Sequence, residues 1–75
     1  MAAQMTFEEY WAALARLKVL PDMVIQQLPG SLSVETKKRL MKLEPEKTAQ
    51  LMQEAIDEVN RGSVESIDIL VKRRL

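Results

Sequence analysis

Signals that start and stop helices cut this chain into short lengths, and the pattern between them reads as helix throughout. Thr6 followed by Glu9 is a capping box, in which a hydroxyl and a carboxylate each satisfy a backbone N–H that the first turn leaves unpaired. From there Phe7, Tyr10, Trp11, Leu14 and Leu17 recur at three- and four-residue spacing, which predicts one apolar face on a helix ended by Pro21. Asp22 to Leu28 is long enough for about two turns before the Pro29-Gly30 turn signal. Ser33 is the cap of a third helix with apolar positions at Val34, Leu40, Met41 and Leu43. Pro45 suits the first position of a fourth, running to about Arg61, in which Leu51, Met52, Ala55, Ile56 and Val59 face inward. Gly62 is placed to take the left-handed conformation that closes such a helix. Ser63 then reads as the cap of a fifth, with Val64, Ile67, Leu70, Val71 and Leu75 on its buried side.

No segment alternates with the period of two that marks a half-buried strand. The expected fold is therefore all-α, a compact bundle of four to five short helices, forming a single domain over residues 1–75 with 1–5 as a flexible leader. All three aromatics fall within Phe7 to Trp11, so the first helix is expected to anchor the core against the fourth and fifth. Phe7, Trp11, Met52, Ile56, Ile67 and Val71 are the predicted shared core.

Composition narrows the chemistry. A chain of 75 residues buries only about 60% of the surface its unfolded form exposes, which leaves little room for a catalytic cavity. There is no cysteine, hence no disulfide, no thiolate nucleophile and no cysteine zinc cage. Histidine is absent too, which removes the commonest general base and the usual nitrogen ligand for transition metals. Eleven acidic and eleven basic side chains cancel, so attraction to nucleic acid or to an anionic membrane has to be local. The opening residues lack the basic and apolar regions of a signal peptide, and no stretch approaches the roughly 18 to 20 apolar residues that span a bilayer. A cytoplasmic protein without membrane contact is expected.

Glu54, Asp57 and Glu58 lie close on one face of the fourth helix, where carboxylates can bind a hard cation or pair as acid and base. A charged outer face on an amphipathic helix explains them without chemistry. No EF-hand loop, P-loop or dinucleotide fingerprint is present, and neither a cofactor, a metal nor enzymatic activity is expected.

Residues 22–43 follow roughly the order of a helix-turn-helix. Val24, Ile25 and Leu28 supply the first helix and Leu32 the turn, while Thr36, Lys37, Lys38, Arg39 and Lys42 supply a recognition surface for phosphates and base edges. Against this, Pro29 lies in the turn, and the Leu28 to Ser33 connection exceeds the usual three to four residues. The fourth helix is also acidic outside, and a neighbouring negative face repels DNA. A solvated cationic face accounts for the lysines more simply.

The run Val19, Leu20, Met23, Val24, Ile25 and Leu28 offers more apolar surface than one small core uses, and Ile69 falls on the charged side of the last helix. Met23, Ile25 and Ile69 are thus the candidate partner-binding residues, for another protein or a second copy of the chain. The sequence points to a non-catalytic protein-protein interaction or regulatory module, with a DNA-binding helix-turn-helix-like unit as the alternative.

Overall fold

The computed structural model of the protein describes residues 5–26 and 32–75. Its helices are α1 (Phe7–Arg16), α2 (Asp22–Gln26), α3 (Val34–Met41), α4 (Pro45–Asn60) and α5 (Ile67–Arg74), and the described residues contain no strand. The expected leader, apart from Met5, lies outside the described residues, as do Leu28 and the Pro29-Gly30 turn.

The caps at three helix starts follow the sequence. Thr6 N donates to Glu9 Oε1 at 3.0 Å and Glu9 N to Thr6 Oγ1 at 3.1 Å, closing the reciprocal box on α1. The Thr6 N–H first, and then the Thr6 hydroxyl, hold the Glu9 carboxyl below its ordinary value. Ser33 caps α3 by accepting from Thr36 N, and Pro45 opens α4 behind Glu44.

Two helix ends use the same device with different residues. At the end of α4, Gly62 (φ 103°) lets Gly62 N reach Val59 O at 3.0 Å and Ser63 N reach Glu58 O at 3.1 Å, a Schellman motif. A Cβ on Gly62 would meet nothing within 4 Å, so glycine serves the backbone angle alone. Helix α1 ends in the same motif, with Lys18 N on Ala15 O at 3.0 Å and Val19 N on Leu14 O at 3.1 Å. Here Lys18 itself takes φ 56°, at a cost of about 1 kcal/mol against glycine. The helix thus stops at Arg16, short of Pro21, and Leu17, predicted on the buried face, is 67% exposed.

The fifth helix begins later than predicted. Ser63 does not cap it. Its Oγ accepts from Glu65 N in a local turn, the chain runs on to Ser66, and Ser66 Oγ accepts from Ile69 N at 3.4 Å. Val64, expected on the buried side, is fully exposed. The later start lets Glu65 pair with Arg73; in one continuous helix, residues eight apart would sit about 12 Å apart along the axis.

The core gathers Trp11, Leu14, Leu20, Val24, Leu32, Leu40, Met52, Ile56, Ile67, Leu70 and Val71, with Phe7 partly buried against it, so the six predicted core residues share one cluster. The closest helix pairing is α4 with α5, whereas α1 packs chiefly on α3 and α2. Helix α1 is tied to α4 by Tyr10, whose hydroxyl donates to Thr48 Oγ1 at 3.2 Å. Thr48 in turn donates to Leu40 O at 3.0 Å, so one buried hydroxyl joins α1, α3 and α4. No helix among the described residues is long and apolar enough to cross a membrane.

Candidate functional site

The cationic helix α3 is where the sequence places most of its functional candidates, and the fold sorts them into distinct roles. Thr36 leaves the predicted recognition surface: it is fully buried, and its hydroxyl donates to Asp68 Oδ1 at 2.6 Å. Ser33 N donates to the same oxygen at 3.1 Å, and Ser33 Oγ and Thr36 Oγ1 lie 2.8 Å apart. Asp68 thereby clips α5 to the start of α3. The Thr36 hydroxyl first, and then the Ser33 N–H, pull its carboxyl from the ordinary 3.8 to about 2. A buried hydroxyl bonded to a carboxylate favours the inward rotation of Thr36, which periodicity of apolar residues alone does not register.

Lys37 is half-buried, with Nζ 5.3 Å from the centroid of the Phe7 ring. Phe7 meets Trp11 edge-on at 5.3 Å, so Lys37 rests on an aromatic pair that belongs to the core. Lys38, Arg39 and Lys42 are exposed, and none has a carboxylate within 4 Å among the described residues. Glu35, one turn before Arg39 on the same helix, makes no ion pair with it. Lys38 and Lys42 stand one turn apart on one face, and with Met5 and Met41 they line a shallow groove. Met5 arrives there from the residue before the α1 cap, and Met41 is half-buried. The sequence assigned Met5 to the leader and Met41 to the apolar face of its helix, so the groove itself was not anticipated.

The acidic trio of α4 resolves differently. Arg74 hydrogen-bonds Glu58, lies 3.6 Å from Glu54 through Nε, and donates to Leu70 O at 3.0 Å. The hydrogen bond to Arg74 holds the Glu58 carboxyl below its ordinary value, and the same bond raises the Arg74 guanidinium. Asp57 stays outside this set, and no group of three carboxylates among the described residues is arranged to hold a metal ion.

Of the apolar candidates, Met23 is 66% exposed and Ile69 47% exposed, while Ile25 is half-buried against the core. Met23 and Ile25 sit on α2, which packs on α1 and α4; Ile69 sits on α5, which packs on α4 and α3. Their neighbours Leu20 and Val24 are core residues, so the apolar run that suggested a patch is largely consumed in closing the bundle. Comparison with known proteins adds no relative: no family model, curated protein or solved structure matches this chain.

Proposed function

We propose that this protein is a non-catalytic protein-protein interaction or regulatory module, acting in the cytoplasm through side chains on its helix surfaces. The observation that carries the reading is the set of large apolar side chains left exposed on the helices after the core has closed, Met23, Val34 and Ile69 among them. The use made of the polar inventory supports it. Thr36 and Thr48 serve helix-to-helix bonds, and Glu54 and Glu58 are engaged by Arg74. The test is capture from a native lysate by the tagged protein, with and without nuclease, read by mass spectrometry. Specific partners that survive nuclease are expected; partners that disappear on nuclease treatment count against the reading.

A second reading, DNA binding, is favoured by Lys38, Arg39 and Lys42, which pair with no carboxylate among the described residues. Titration with mixed duplex DNA separates the two. Each substitution that removes a cation from a DNA phosphate lowers the slope of log affinity against log salt by about 0.9. We expect no DNA affinity at physiological salt.

A further inference from the structure

Resting on the protein-contact reading, we infer that the groove between Lys38 and Lys42, floored by Met5 and Met41, receives an acidic amphipathic helix of a partner protein. Methionine is unbranched and polarisable, and on a surface it adapts to apolar side chains of different shapes. Here two methionines from different parts of the chain line one groove, Met5 ahead of α1 and Met41 at the end of α3. The lysines beside them stand one helical turn apart, which matches carboxylates one turn apart on an apposed helix.

In charge, this face contrasts with the end of α5. Each cation at the end of α5 has a carboxylate in reach: Lys72 has Asp68 at 3.4 Å, Arg73 has Glu65, and Arg74 has Glu58 and Glu54. Lys38 and Lys42 have none among the described residues, although Glu35 sits on the same helix. An occupant that supplies carboxylates and apolar side chains together satisfies both halves of the groove. Phosphate backbone satisfies only the lysines and leaves the methionines against a hydrated strand. A second copy of the chain would bring the outer face of α4, where Arg74 holds Glu54 and Glu58 and, among the described residues, leaves only Asp57 of the acidic trio unengaged. Because the chain as a whole carries no net charge, the attraction is local and weakens with salt.

The test titrates the isotope-labelled protein, followed by NMR, with a synthetic helical peptide of about 15 residues carrying leucines along one face and glutamates beside them. Controls are the same peptide with lysines for glutamates, polyglutamate, and mixed duplex DNA, all at about 0.15 M salt. Saturable binding of the acidic amphipathic peptide is expected, with shifts at the Met5 and Met41 methyl groups. Polyglutamate, DNA and the lysine peptide should each bind at least about tenfold more weakly. Lys38→Gln with Lys42→Gln should weaken the peptide by about tenfold or more, and Met41→Gln by about fivefold. Native Trp11 emission verifies that each variant is folded, and Met5→Gln, at an exposed position, tests the apolar half if Met41→Gln unfolds. The inference is overturned by no peptide binding, equal binding of DNA or polyglutamate, indifference to the substitutions, or self-association that the lysine substitutions abolish. Nuclease-resistant partners retained by the double lysine variant would remove this groove while leaving the protein-contact reading in place.

Discussion

Helices α3 and α5 make a natural pair. Each is eight residues long, each starts on a serine cap, and each carries its cations toward its end, where the helix dipole favours them. Their charges nevertheless meet opposite fates. The turn ahead of α5 delivers Glu65 to Arg73, α4 delivers Glu54 and Glu58 to Arg74, and one turn back Asp68 faces Lys72. Helix α3 has an aromatic ring under Lys37 and methionines beside Lys38 and Lys42. A cationic helix is spent internally or left available according to what its neighbours present, and counting its lysines and arginines cannot tell the two cases apart.

The comparison breaks at its foundation if the two helices are not equally anchored. Leu40 and Leu70 are both fully buried, so Leu40→Ala and Leu70→Ala should each cost about 2 to 5 kcal/mol in urea unfolding. A small loss at one and a large loss at the other would trace the difference between the helices to packing rather than to charge. Next in size is the Asp68 clip that joins them. Its carboxyl titrates lower in the folded state than in the unfolded chain, so its stabilisation is complete above about pH 4 and is lost as pH falls toward about 2. The loss should reach about 2 kcal/mol, and Asp68→Asn should flatten the dependence of the urea midpoint on pH in that window. The smallest effect sharpens the contrast directly. Arg74→Ala should cost about 1 kcal/mol through its carboxylates and the Leu70 carbonyl. Arg39→Ala should stay within about 0.5 kcal/mol, as substitutions at exposed positions usually do. Equal losses would mean that the ion pairs of α5 contribute nothing.

What could be read in advance was whatever a few adjacent residues decide. The Thr6–Glu9 box, the Ser33 cap, Pro45 at the start of α4 and Gly62 at its end are local chemistry, and each formed where the residues indicated. The start of α5 was misplaced because Ser63 and Ser66 are equally good caps, and the Val64 to Ile67 spacing continues the apolar pattern past the true boundary. The end of α1 was hidden because lysine, not glycine, takes the left-handed position. For the candidate site, the exposure of Lys38, Arg39 and Lys42 followed from helical spacing. The burial of Thr36 depends on Asp68, distant in sequence, and the groove depends on where Met5 arrives. Neither is a local matter.

Trp11 has a consequence in the language of hydrogen exchange. The chain has one tryptophan, and its indole N–H is buried without an acceptor among the described residues. A backbone amide in α4 can exchange when one turn frays, because its protection is a local bond. Among the described residues the indole proton has no bond to break; what shields it is the closed bundle around it, including the edge-on Phe7 ring that also seats Lys37. Its exchange rate therefore times the opening of the core as a whole, and its single resonance makes that clock readable without assigning the rest of the spectrum.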